Sequence, residues 1–149
     1  MHPIQHAQAR PDQPAVIMAG SGKTISFGEM DAQANQFAQL LRANGFAPND
    51  SFAVLLENRI EFYTLIWGSQ RAGTMLVPIS TRLTAPEISY ILKDSEAKLL
   101  ITSLAFDGVL PGIRAEHPDL PVLVMDGEDQ EDFARIYFVS SLFIFISFQ

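Results

Sequence analysis

At 149 residues, 48% of them hydrophobic, the chain is long enough to bury a real core and is excluded from the disordered class. A net charge of −7 with no basic stripe excludes a binder that tracks nucleic-acid phosphates. The absence of cysteine removes disulfides, thiolate nucleophiles and cysteine-ligated metals together, and is compatible with a reducing cytoplasm.

Residues 1–14 are polar and punctuated by Pro11 and Pro14, which predicts an irregular or short helical lead-in. They hold no apolar stretch of the kind that a secretory signal needs, so the expected location is cytoplasmic. Runs at 15–18 and 24–27, separated by Gly20-Ser21-Gly22-Lys23, predict a β-hairpin with a glycine-rich turn.

From residue 24 to residue 102 one unit occurs three times: a cap, an amphipathic helix, a stop and an apolar strand. The caps are Ser26-x-x-Glu29, Asn58-x-x-Glu61 and Thr84-x-x-Glu87. In each, a polar side chain can accept from a free helical N–H while the glutamate reaches back to the cap. The first helix carries Met30, Ala34, Phe37, Ala38 and Leu41 on one face and stops at Gly45. The second, 59–72, is expected to bury Phe62, Leu65, Ile66 and Ser69, with Gly68, Ser69 and Gly73 letting its backbone approach the sheet. The third has Pro86 in its first turn, turns Ile88, Ile91 and Leu92 inward, and ends near Asp94-Ser95. A weaker helix at 105–116 is broken by Gly108 and Pro111.

The strands between these helices are 52–56, 75–79 and 98–102, with another at 121–125. Helices alternating with strands imply parallel strands joined by helical crossovers. The fold class is therefore α/β: a Rossmann-like, mostly parallel sheet with flanking helices and an N-terminal β-hairpin. Strand order is not derivable from one sequence. Ligands of such sheets sit at the carboxyl ends of the strands, here chiefly Glu57-Asn58 and the loop 80–84. Those loops offer Arg82 as a phosphate partner and no glycine cradle.

Several motifs invite a chemical reading and have a simpler one. Gly20-Ser21-Gly22-Lys23-Thr24 ends like a phosphate loop, but Ile17 stands where the first glycine belongs and an extended segment follows the lysine. A hairpin turn accounts for it. The acidic run 126–132 has Glu131 where a calcium loop needs glycine, which makes it a solvated connection. His2, His6 and His117 lack metal-ligand spacing and read as surface histidines. Asp94-Ser95 reads as a helix-end turn, and Tyr63 and Trp67 as packing residues.

The ordered series in residues 23–102 resembles the opening of an AMP-forming acyl-CoA synthetase, one of the adenylate-forming ligases. Its pieces begin with Thr24-Ile25-Ser26-Phe27-x-Glu29-Met30, Ala34-Asn35, Leu40-Leu41, Gly45 and Pro48-Asn49-Asp50. They continue with Leu56-Glu57-Asn58, Trp67-Gly68, Ala72-Gly73 and Val77-Pro78-Ile79. Glu87-Ile88 through Asp94-Ser95 and Ala97-Lys98 through Thr102 close the series, and His6-Ala7-x-Ala9-x-Pro11-Asp12 resembles the usual lead-in. Each piece alone reads as packing or capping; the resemblance lies in their order and spacing.

The resemblance implies a reaction in which ATP and a carboxylate, such as a fatty acid, give an acyl-adenylate and pyrophosphate. Coenzyme A then takes the acyl group. Full-length members use ATP, Mg²⁺ and coenzyme A. The motifs that grip them are a Thr/Ser/Gly-rich phosphate loop, a ribose-binding aspartate and a C-terminal lysine, and none is found here. The resemblance therefore carries over fold and origin, assigns no catalytic, cofactor-binding or metal-binding residue, and implies a truncated fragment inactive alone. Two alternatives are a small nucleotide-binding module and a non-catalytic interaction module that needs a partner chain.

Residues 1–133 are expected to form the partial ligase domain and 134–149 an apolar tail foreign to it. The stretch 136–148 has no charged residue. As a helix, about 13 residues span roughly 20 Å, short of a hydrocarbon core of about 30 Å, so no transmembrane span is expected. A buried strand is the other alternative to a foreign end. An uncharged β-prone stretch is also a route to self-association.

Overall fold

The computed structural model describes residues 3–125. They fall into two units, residues 3–48 with 58–73 and residues 49–57 with 74–125. The boundary expected at residue 133, the acidic run, the apolar stretch and His2 lie outside the described residues.

The first unit contains α1 (Pro3–Ala9), the antiparallel hairpin β1 (Pro14–Ile17) and β2 (Thr24–Ser26), α2 (Phe27–Ala43) and α3 (Glu61–Ala72). Gly22, at φ 70°, makes the hairpin turn. The predicted box opens α2: Ser26 Oγ accepts from Glu29 N–H at 3.2 Å, and Glu29 Oε2 accepts from Ser26 N–H at 2.8 Å. Both Ser26 donors hold the Glu29 carboxyl below the usual carboxylate range. The predicted apolar face of α2 is the buried one, from Met30 through Leu41, and Gly45 follows the helix at φ 78°. Met30, Phe37 and Leu41 each contribute about 1.5–3 kcal/mol relative to exposure.

α3 departs from expectation in three ways. It begins at Glu61 rather than Arg59, and its first-turn flank, Ile60, is helical with no side-chain cap. The Asn58–Glu61 box is therefore not formed. Ile60 is instead buried with Ile25 and Met30, and that apolar cluster fixes where the helix starts. The buried stripe is rotated as well, comprising Thr64, Leu65, Gly68, Ser69 and Ala72, while Phe62 and Ile66 are half-buried. Lastly, Gly68 serves the approach of α2 rather than of the sheet. A Cβ there would stand 2.6 Å from Phe37 Cδ1 and 2.9 Å from the Ala34 carbonyl oxygen. Arg71 clamps the same pair, donating from Nη1 to Asp31 O at 2.7 Å and pairing through Nη2 with the Asp31 carboxylate.

The second unit is a parallel four-stranded sheet in the order β4-β3-β5-β6, with β3 (Ser51–Leu55), β4 (Met75–Pro78), β5 (Leu100–Thr102) and β6 (Val122–Val124). α4 (Ala85–Asp94) and α5 (Leu110–Glu116) bury Ile88, Leu92, Leu110 and Ile113 against Ala53, Leu55 and Leu100. The central strands are wholly buried, as the near-continuous apolar runs of a parallel sheet require. Glu87 Oε2 accepts from both the N–H and the hydroxyl of Thr84, at 2.8 and 2.7 Å, and so tightens the start of α4. The weak helix at 105–116 resolves into a 3-10 turn, Leu104–Val109, and α5. Pro111 lies in the first turn of α5, where its missing N–H costs nothing, so it opens that helix rather than breaking one.

Candidate functional site

In the second unit the connection leaving β3 returns on one side, at β4, and the connection leaving β5 returns on the other, at β6. The switch point of the sheet, where ligands of this architecture sit, is therefore between the carboxyl ends of β3 and β5. Leu56-Glu57 follow β3, Ile79 through Arg82 follow β4, and Ser103 follows β5.

Ser103 is fully buried, and its hydroxyl donates to Glu57 Oε2 at 2.6 Å. This is a charge-assisted bond spanning the switch point. Beside it, Thr102 is fully buried with its hydroxyl unpartnered. In the neighbouring loop, Ser80 Oγ accepts from Arg82 N–H at 3.4 Å and Ser80 O from Leu83 N–H at 3.3 Å. That turn leaves Arg82 exposed on the rim and leads into Thr84 at the start of α4.

The loop residues expected from sequence are thus partly assembled. Glu57 and Arg82 follow adjacent strands, while Asn58 belongs to the first unit. The contact between buried Ser103 and half-buried Glu57 ties two strand ends together. Ser103 was missed in sequence because its partner lies 46 residues away. Its position directly after an apolar strand was the available signal.

The other motifs have structural employment. Lys23 Nζ bonds Glu61 Oε1 at 3.0 Å, and Arg59 Nε bonds Glu61 Oε2 at 3.0 Å. Burial pushes the Glu61 carboxyl up, but hydrogen bonds from Arg59, its own amide and Lys23 outweigh burial and hold it below the usual range. His117 Nε2 lies 3.2 Å from Ser89 O and is half-buried, not a surface group. His6, also half-buried, contacts Arg10 and Phe27. Among the described residues no three His, Asp or Glu groups come together as metal ligands. Ser95 ends α4, returning its hydroxyl to Ile91 O at 2.7 Å. Trp67 packs on the Ile25–Met30–Ile60 cluster, whereas Tyr63 is 43% exposed and is not the packing residue expected.

The family described as "AMP-binding enzyme" matches residues 4–140. The long-chain-fatty-acid–CoA ligase FadD13 of Mycobacterium tuberculosis is 38% identical over 122 residues, which are 82% of this chain and 24% of that protein. The fatty acid–[acyl-carrier-protein] ligase ScoC of Streptomyces coeruleorubidus is 38% identical over 76% of this chain and 22% of its own. A crystal structure of the N-terminal domain of FACL13 from Mycobacterium tuberculosis superposes with a TM-score of 0.80 at 30% identity, covering 97% of this chain and 37% of that one. The chain spans about a quarter of the length of the curated relatives it matches. No helix among the described residues is long and apolar enough to cross a membrane.

Proposed function

The chain belongs to the AMP-binding enzyme family, and from that premise we propose that it is the opening segment of an adenylate-forming ligase. That ligase joins a fatty acid to a thiol carrier such as coenzyme A in the cytoplasm. The observation that carries the reading is the 38% identity to FadD13 and to ScoC, whose names each give a fatty acid as substrate. The carboxylate attacks the α-phosphorus of ATP and expels pyrophosphate; the thiol then attacks the acyl carbon and expels AMP.

This segment supplies a folded scaffold and does not adenylate alone. It spans about a quarter of its relatives, and the carboxylate at its switch point is already bonded to Ser103. Mg²⁺ would travel with the phosphates of ATP, held by one or two carboxylates, and no step is routed through it on this chain.

Two measurements separate the parts of this reading. The chain substituted for the matching segment of FadD13 should give a chimera with fatty-acid-dependent ATP–pyrophosphate exchange; a folded but inactive chimera overturns the ligase assignment. The purified chain should give no exchange with short, medium or long fatty acids. Carboxylate-dependent exchange there overturns the claim that it is inactive alone.

A further inference from the structure

The last turn of α2 is closed by three hydrogen bonds. Asn44 follows the helix at φ −91° and ψ 19°, and Gly45 takes φ 78°. Gly45 N–H donates to Arg42 O at 3.0 Å, and Phe46 N–H donates to Leu41 O at 3.0 Å. That pair is the Schellman arrangement, which needs a left-handed residue where Gly45 stands. The Asn44 side chain adds the third bond, from Nδ2 to Leu40 O at 2.9 Å. Asn44 and Gly45 are both exposed.

The same two residues can react with each other. Of the four asparagines, Asn44 is the one that precedes a glycine. Glycine has no Cβ to hinder its nitrogen, so Gly45 N can reach Cγ of the Asn44 side chain. Base removes the Gly45 amide proton, the nitrogen bonds to Cγ, and the Cγ–Nδ2 bond breaks, releasing ammonia that takes a proton from water. Water then opens the five-membered imide at either carbonyl and leaves aspartate or isoaspartate. Water is the only co-reactant, and nothing is oxidised or reduced.

We propose that Asn44 is a site of spontaneous deamidation, held shut by the cap of α2, and that its product opens that cap. To cyclise, Gly45 N must give up Arg42 O and the Asn44 amide must give up Leu40 O, so the reaction waits for the last turn to fray. Once formed, a carboxylate at this position cannot donate to Leu40 O. It also places a negative charge at the negative end of the helix dipole. Isoaspartate lengthens the main chain by one carbon as well, which takes Phe46 N–H out of register with Leu41 O. The turn then frays more readily. This chemistry does not depend on the ligase reading.

Peptide mapping by tandem mass spectrometry tests it, on the purified full chain held in mildly alkaline buffer with and without unfolding urea. In urea, replacement of the side-chain amide by a carboxyl group should appear at Asn44 before the other asparagines. Without urea it should be slower by about tenfold, the scale of breaking one to two exposed hydrogen bonds. In urea, where the cap plays no part, Gly45→Ala should slow Asn44 towards the rate of the others. Native-state amide exchange of Asn44→Asp should quicken at Gly45 and Phe46 by about fivefold, the scale of one lost hydrogen bond. Exchange at Glu29, at the other end of α2, should hold. Equal rates with and without urea, no preference for Asn44 in urea, or unaltered exchange at Gly45 and Phe46 would overturn the proposal.

Discussion

Ser103 donates its hydroxyl to Glu57 Oε2 at 2.6 Å, tying the end of β5 to the end of β3 where the sheet's connections part. In doubly wound sheets that position is an open crevice for a ligand. Here a fully buried serine and a half-buried glutamate meet in it. The edge that should be reactive is, in this segment, a structural tie.

If the tie is structural, losing it should be felt in stability. Ser103→Ala removes one hydrogen bond to a charged acceptor and should cost about 1.5–3 kcal/mol. Urea denaturation followed by far-UV circular dichroism checks this. A midpoint within error of the parent would mean that the bond adds nothing.

Gly68→Ala should destabilise the first unit even though alanine is the better helix former. The added methyl would meet Phe37 Cδ1 at 2.6 Å and, less forgivingly, the Ala34 carbonyl oxygen at 2.9 Å. Overpacking of this kind costs about 1–3 kcal/mol, more than the gain of up to about 1 kcal/mol from helix propensity. Thermal melts of the two proteins should show the variant unfolding first. An equal or higher midpoint would show that α2 and α3 can separate without penalty.

What was legible in the sequence was what neighbours decide. The boxes at Ser26 and Thr84 close within three residues, and the face of α2 repeats with the helical period, so both were readable. Asn58 carries the same signature as those two caps, yet Ile60 is held by Ile25 and Met30, thirty or more positions earlier, and the helix starts late. The stripe of α3 turned for a similar reason: its small face suits α2, a partner no local pattern reveals. The site followed the same rule. Glu57 was singled out from its strand end, but Ser103 became visible only once strand order placed β5 beside β3.

Thr102→Val should stabilise the chain. The threonine is fully buried, its hydroxyl has no partner, and its strand neighbours are Leu55 and Val124. Valine keeps the branched shape suited to a strand and removes an unsatisfied polar atom, a gain of about 1 kcal/mol. Equilibrium unfolding in urea gives the difference directly. A loss of stability would mean that the hydroxyl is satisfied by a buried water.

Glu61 should leave a mark on the acid limb of stability. Its carboxyl is held below the usual range, so the folded state binds its proton less readily than the unfolded chain. Its contribution is therefore fully present above the ordinary carboxylate pKa of about 4.3 and is lost as pH falls through the lower folded value. The gap between the parent and Glu61→Gln should be constant from pH 7 to about pH 5 and should close towards pH 3. Lys23, 61% exposed, supports the same carboxylate from the hairpin turn. Lys23→Ala should cost no more than about 1 kcal/mol, the scale of an exposed pair, and should leave any binding of ATP measured by calorimetry unchanged. Loss of nucleotide binding in that variant would show that the turn grips phosphate after all.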